Sequence, residues 1–327
     1  MPTMMRILIT GAAGFVGSHL PKALTRACGG DVRLIATSKT AERHPVYCNI
    51  EALDVLDRAA VAQAIERHAP THVLHLAGIA APSAANANPR LAWDVHLGSA
   101  LNLGEAILAH APCCWLLHVG TGLVYGQSAK SGEPLDEDAL LAPVDEYGAS
   151  KAAADLAVGA MVSRGLKCVR LRPFNHSGPG QSEDFVIPAF AMQIARIEAG
   201  LAPPVLQVGN LDAERDFLDV RDVADAYAVA ARQAGSLQPG TIFNIASGMP
   251  RRIGAILESL LAHGRVRIDV AHDPARMRPS DLPRIVGNAD RARKALGWSP
   301  QRSIEDMVAT VLDDWRARLA NPRTGGP

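Results

Sequence analysis

The sequence predicts an α/β protein: a doubly wound parallel Rossmann-type sheet with a smaller α/β lobe toward the C-terminal end. Three observations carry this. Short, nearly continuous apolar runs alternate with helical patterns through the first half of the chain. A strand, a turn with glycines at 11, 14 and 17, and a helix open that alternation. Pro173 closes it, and loops dense in Gly, Asn and Ser and Pro-rich connections follow.

The elements read in order as follows. Residues 6–10 (RILIT) are a short apolar strand, and 15–27 are the helix behind it. Residues 32–37 (VRLIAT) form a second strand, 58–69 a helix and 72–78 (HVLHLAG) another strand. A long helix is expected over 89–111, a strand over 114–122 and an Ala-rich helix over 147–165. KCVRLRP is a strand stopped by Pro173. Beyond it, 185–200 reads as a helix with a breaker near its start and 241–246 (TIFNIA) as a returning strand. This divides the chain into a nucleotide-binding domain at 1–172, with segments returning at about 214–248, and a lobe made from 173–213 and 249–320. A frayed tail is expected at 321–327.

Composition narrows the function. The chain has 327 residues, 48% of them hydrophobic, enough for a substantial core. Lys plus Arg equals Asp plus Glu at 33 each, so there is no global attraction for nucleic acid or an anionic membrane. An anionic ligand must be held by local donors. No apolar run approaches the ~18 residues of a membrane span, and the N-terminus MPTMMRILIT lacks a signal-peptide pattern. A cytoplasmic location is therefore expected. The five cysteines include no C-x-x-C pair and read as buried free thiols. No metal site is expected.

The stretch TGAAGFVG puts Gly11, Gly14 and Gly17 three apart. Glycine there permits positive φ and close approach of a pyrophosphate, and the helix amino end supplies N–H donors. The second strand ends with Thr37, Ser38 and Lys39, followed by Arg43, and offers no carboxylate for a ribose diol. Hydroxyl and cationic groups suit a 2′-phosphate, which favours NADP(H) and leaves NAD(H) open. Alternatively, Lys39 and Arg43 are ordinary solvated charges. Asp54, one crossover later, is placed to meet the adenine amino group.

YGASK sets Tyr147 and Lys151 four apart on one helix face. A nearby ammonium is expected to favour the phenolate and lower the phenol pKa, giving a proton donor and acceptor for a carbonyl/alcohol pair. Thr121, at the end of the preceding strand, can hydrogen-bond the same substrate oxygen.

TGAAGFVG, HLAG, GTGLVYG and YGASK together resemble the extended short-chain dehydrogenase/reductase family, in its sugar-nucleotide epimerase/dehydratase branch, over nearly the whole chain. Within the branch, RPFNHSGPGQSEDFVIPAFAMQIARI, VGNLDAERDFLDVRDV and RPSDLPRIVGNADRARKALGW resemble the bacterial GDP-4-keto-6-deoxy-D-mannose reductases. The GDP-mannose 4,6-dehydratases share related versions of all three. The resemblance implies Thr121, Tyr147 and Lys151 as catalytic residues. It implies a cofactor held by Gly11, Gly14, Phe15, Val16 and Gly17; by Ser38, Lys39, Asp54 and Val55; by Leu76, Ala77 and Gly78; and by Tyr147, Lys151, Pro173 and His176. It implies a GDP-sugar bound by Ser83, Thr121, Gly122, Asn175, the backbone near Val186 and Ile187, and Arg215 and Arg278. A homodimer through the helices carrying 89–110 and 147–164 is family-like.

The resemblance also separates reactions. A dehydratase of this branch carries a Glu two residues after the Thr, as a second acid/base for elimination; here that position is Leu123. A ketone reductase needs only the Thr, Tyr and Lys, and so does a 4-epimerase that retains its cofactor. A non-catalytic nucleotide sensor is disfavoured because Thr121, Tyr147 and Lys151 are all present. His96 stands where the family has an asparagine that positions the lysine; it either substitutes or is a plain helix histidine.

Overall fold

The computed structural model describes residues 4–277 and 282–321. The strands in chain order are β1 (Met5–Thr10), β2 (Val32–Ser38), β3 (Glu42–His44), β4 (Cys48–Ala52), β5 (His72–His75), β6 (Trp115–Val119) and β7 (Lys167–Pro173), then β8 (Asn175–Ser177), β9 (Val205–Val208), β10 (Glu214–Asp219) and β11 (Thr241–Ile245), and finally β12 (Pro250–Arg252), β13 (Asp269–His272) and β14 (Arg284–Ile285). The helices are α1 (Phe15–Cys28), α2 (Arg58–His68), α3 (Pro82–Ala87), α4 (Pro89–Trp93), α5 (Ser99–His110) and α6 (Glu146–Ala160), followed by α7 (Val186–Glu198), α8 (Val220–Gln233), α9 (Ile253–Ala262), α10 (Asp290–Leu296) and α11 (Ile304–Ala320).

The main sheet runs β11-β7-β6-β5-β1-β2-β4-β3. Every pairing in it is parallel except the β3–β4 hairpin. Both faces are buried, which explains why the strands read as continuous apolar runs. Ile7 and Ile9 enter one core cluster with Leu20, Leu24 and Tyr227, while Leu8 between them enters another with Val61, Leu103 and Val158. Helices α1 and α8 thus cover one face, and α2, α5 and α6 the other. The strand order reverses at β1, whose neighbours are β2 and β5. Ligands of such sheets gather beyond the strand ends at this switch point. No helix among the described residues is long and apolar enough to cross a membrane.

The smaller lobe has its own core. Phe190 and Ile194 of α7, Leu206 and Val208 of β9, Ile256 and Leu257 of α9, and Val311 and Trp315 of α11 pack together with Phe217 of β10. Strand β8 pairs with β10, and β10 with β12 and β14, so this sheet lies where the chain leaves and re-enters the main domain. Of the tail expected at 321–327, only Asn321 is among the described residues.

Several expected elements have different limits. The strand expected over 72–78 ends at His75, where the chain begins to pass over Gly11. The strand expected over 114–122 ends at Val119, and a 3₁₀ segment starts after Thr121, whose hydroxyl accepts from Leu123 N–H. The helix expected over 89–111 is continuous but contains a π turn at Asp94–Gly98. The thiols are not uniformly buried: Cys114 and Cys168 are, whereas Cys48 and Cys113 are exposed and Cys28 is half-buried.

Candidate active site

The glycine loop is shaped by contacts that only glycine permits. Gly11 has φ +69°, and a Cβ there would lie 2.7 Å from the Ala77 backbone nitrogen. A Cβ at Gly17 would lie 2.3 Å from the Ala12 carbonyl oxygen. Gly14 is the N-cap of α1 and supplies no side-chain cap, and no acidic residue occupies the first turn, which begins Phe15, Val16, Gly17. The amino end of α1 therefore presents donors and partial positive charge at the switch point, a cradle that fits the pyrophosphate of a dinucleotide. Leu76, Ala77 and Gly78 form its other wall: Leu76 N–H donates to the Thr10 carbonyl and Ala77 N–H to the Thr10 hydroxyl.

At the adenosine end, Ser38 closes β2 and its hydroxyl donates to the Thr40 carbonyl. Lys39 is exposed and lies 3.9 Å from Asp54, with Val55 buried beside it. The ammonium of Lys39 and the hydroxyl of Ser38 suit a 2′-phosphate, and the one carboxylate beside them, Asp54, comes from the next crossover and not from the end of β2. At the opposite end, Pro173 closes β7, and His176 stacks on Phe15 with ring centroids 6.1 Å apart and planes within 5°. Nδ1 of His176 lies 2.9 Å from the Phe174 carbonyl, and burial lowers its pKa. The ring packs against the start of α1 as a neutral group.

Thr121, Tyr147 and Lys151 converge. The Thr121 hydroxyl is near enough to the Tyr147 phenol to act against its raised pKa, and Lys151 Nζ donates to the Val119 carbonyl at 3.2 Å, one turn further along α6. Asp145 caps α6 by accepting from Gly148 N–H, which fixes the helix start and hence the aim of Tyr147. The electrostatics differ from the sequence expectation. Burial raises the Tyr147 pKa to about 12, and the Thr121 hydroxyl offsets this only in part. Burial likewise lowers Lys151 to about 8. Desolvation therefore dominates both groups, and the phenol is a protonated donor rather than a ready phenolate.

His96 sits in the π turn, fully buried. Its Nδ1 lies 2.8 Å from Ser150 Oγ, which itself donates to the Glu146 carbonyl, and its Nε2 accepts from Ile79 N–H at 3.1 Å. Nε2 lies equally close, 3.1 Å, to the Ile79 carbonyl, so both ring nitrogens are held by polar partners. Burial, then the Lys151 charge, hold the pKa down to about 3. The ring stands edge-on to Tyr147 at 5.6 Å, and a Cβ on Gly78 would lie 3.2 Å from Lys151 Nζ and 3.4 Å from the His96 ring. His96 is thus integral to the wall behind the lysine.

On the substrate side, Leu123 packs against Tyr147 together with Ala85, Ala92 and Ile79. Gly122 is required by Phe174, whose ring would lie 2.9 Å from a Cβ there. Ser83 is exposed on α3, and Asn175 lies on β8. Val186 and Ile187 begin α7, but the Ile187 side chain is buried in the lobe core, so only backbone is offered at that position. Arg215 donates to the Glu214 and Leu282 carbonyls at 2.8 Å each. Of the neighbouring carboxylates, Asp216 accepts from Ser247, Gly248 and Gly287, and Asp219 from Arg221. Arg278 lies outside the described residues.

Sequence reasoning passed over two buried histidines behind Lys151, His75 and His118. Their one signal is a titratable residue at an inward position of an apolar strand.

The chain matches the model of the family described as GDP-mannose 4,6 dehydratase over residues 8–311. It is 33% identical over 318 residues to a GDP-6-deoxy-D-mannose reductase of Pseudomonas aeruginosa, covering 96% of this chain and 98% of that one. A UDP-glucose 4-epimerase of Azospirillum brasilense is 28% identical, with 96% and 92% covered. Among solved structures, RMD of Pseudomonas aeruginosa complexed with NADPH aligns with a TM-score of 0.84 at 32% identity, over 96% of this chain and 99% of that chain. The UDP-glucose 4-epimerase of Thermus thermophilus in complex with NAD aligns at 0.81 and 29% identity, over 95% and 99%.

Proposed function

We propose that this chain, which belongs to the GDP-mannose 4,6 dehydratase family of extended short-chain dehydrogenases/reductases, is an NADPH-dependent reductase of the C4 ketone of a GDP-4-keto-6-deoxyhexose, converting GDP-4-keto-6-deoxy-D-mannose to GDP-D-rhamnose. The observation that carries the choice of reaction is Leu123. It lines Tyr147 with apolar surface where an eliminating enzyme needs a second acid/base. The named reductase relative and the NADPH-bound neighbour support the same reading.

NADPH, when bound, supplies the hydride delivered to C4. Gly11, Gly14, Gly17 and the first turn of α1 hold its pyrophosphate, Ser38 and Lys39 its 2′-phosphate, and Asp54 and Val55 its adenine. Leu76 to Gly78, Pro173 and His176 flank it. Tyr147 donates the proton to the oxygen that becomes the alcohol; its raised pKa keeps it protonated until negative charge develops there. Thr121, beside the phenol, orients that oxygen. Lys151 stabilises the phenolate left behind. Ser83, Gly122, Asn175, the backbone at 186–187 and Arg215 line the sugar-nucleotide side, where Arg215 with its planar fork suits a diphosphate. A homodimer is part of the reading: Leu91 and Leu156 are exposed apolar side chains on helices α4 and α6.

A 4-epimerase is the second reading, favoured by the epimerase relatives and by the sufficiency of Thr121, Tyr147 and Lys151. NADPH absorbance with GDP-4-keto-6-deoxymannose generated in situ separates the two. Stoichiometric oxidation supports the reductase. C4 inversion of a supplied sugar nucleotide without net oxidation supports the epimerase.

A further inference from the structure

Behind Lys151, on the sheet face that α5 and α6 cover, three imidazoles lie close together. Val73 and Leu116 belong to the core on that face, so His75 and His118, two residues further along β5 and β6, point the same way. His96 closes the group from the π turn. Two of the three rings are fully accounted for. His75 Nδ1 faces the Thr10 hydroxyl at 2.7 Å and its Nε2 faces Ser99 Oγ at 2.9 Å, and His96 is held by Ser150 and Ile79. His118 differs. It is 1% exposed, and neither ring nitrogen has a hydrogen-bonding partner among the described residues. Leaving such a group unsatisfied is costly, and buried water is the usual partner of otherwise unsatisfied interior groups.

His75 of β5 packs beside His118 at 5.7 Å between centroids, and the charges that act on His118 come from Lys151 of α6, Arg170 of β7 and His96 of the π turn. Arg170 is committed to Asp155 and to the Gly240 carbonyl. Lys151 has three N–H donors, and the described residues take one of them, at the carbonyl of Val119, the residue next to His118. Burial and the Lys151 charge hold the His118 pKa down to about 3, so the ring stays neutral and offers a lone pair rather than a second cation.

We propose that His118 is a positioning residue for Lys151: its ring accepts, through one buried water, a hydrogen bond from the ammonium and holds that ammonium beside Tyr147. This rests on the catalytic role given to Lys151 above. The water bridges the unpaired imidazole and a free N–H of Lys151, and it holds the lysine in its charged form against the burial that opposes that charge.

The test compares wild type with His118→Leu, His118→Met and His118→Gln. It measures the pH profile of kcat, the pH dependence of NADPH affinity by fluorescence, and thermal unfolding. In the apolar variants the alkaline limb of both profiles moves down by about one pH unit, because the charged lysine loses an acceptor. Gln retains an acceptor and restores the limb. An ordered water within hydrogen-bonding distance of both His118 and Lys151 in a crystal structure supports the same account. A raised Tm in His118→Leu or His118→Met with unmoved pH limbs overturns it and makes His118 an unsatisfied core histidine. Should one apolar variant fail to fold, the other decides. Absence of NADPH turnover by the wild type defeats the reductase reading instead, and the NADPH-affinity profile still reports on His118.

Discussion

Leu123 packs against Tyr147, in a small apolar cluster completed by Ala85 and Ala92. Position 123, two residues after Thr121, therefore offers apolar surface and no titratable group. Leu123→Glu would bury a carboxylate beside the phenol, raising the pKa of both groups. We expect kcat for ketone reduction to fall about ten-fold or more, a typical loss when general acid catalysis is impaired. Steady-state NADPH oxidation checks this, and an unchanged kcat would mean that position 123 does not face the reacting centre.

Tyr147→Phe removes the donor and leaves the ring that packs on His96 and Leu123. Turnover should drop about 10²–10⁴-fold, the usual contribution of general acid–base catalysis. NADPH affinity, read by fluorescence titration, should stay within about two-fold of wild type, since Phe keeps the ring and removes only the hydroxyl that acts in the transition state. Equal losses in both quantities would contradict the proton-donor role.

Lys151 is 8% exposed, and burial lowers its pKa from 10.5 to about 8. The unfolded chain binds the extra proton more tightly, so the buried ammonium destabilises the fold at neutral pH. That penalty fades as pH rises from about 8 to 10.5. Lys151→Met should therefore raise Tm at pH 7 while abolishing turnover, and the gain in Tm should shrink across that window. A Tm difference independent of pH would show that the lysine is not desolvated.

Gly11 combines φ +69° with a Cβ position 2.7 Å from the Ala77 backbone. Gly11→Ala should cost about 1–3 kcal/mol in stability through strain and displace the two loops that form the cofactor cradle. Denaturant unfolding and NADPH titration should both show the loss. Undiminished NADPH affinity would place the cofactor elsewhere.

The main sheet was legible because its strands are buried on both faces and therefore write unbroken apolar runs, as Ile7, Leu8 and Ile9 do. The glycine loop and the Tyr147–Lys151 spacing were legible for the same kind of reason, local geometry that few residue types satisfy. The lobe was harder to read. Strands β8, β10, β12 and β14 are two to six residues long and pair with segments remote in the chain, so no local period marks them. Helix α11 buries Met307, Val308, Val311, Leu312 and Trp315 but carries a charged outer face, and its pattern was lost among Pro-rich neighbours. The direction of the Tyr147 pKa depends on burial, which spacing does not reveal. The imidazoles behind Lys151 come from two strands and a π turn and meet only in three dimensions.

The central claim is that this chain transfers hydride from NADPH to C4 of a GDP-4-keto-6-deoxyhexose. The most direct measurement incubates the protein with NADPH carrying deuterium at both C4 positions of the nicotinamide and that ketone, then reads the product by NMR. The account predicts one deuterium at C4 of a GDP-6-deoxyhexose for each NADPH consumed. A product without deuterium at C4, or C4 inversion with no net NADPH consumption, would contradict it.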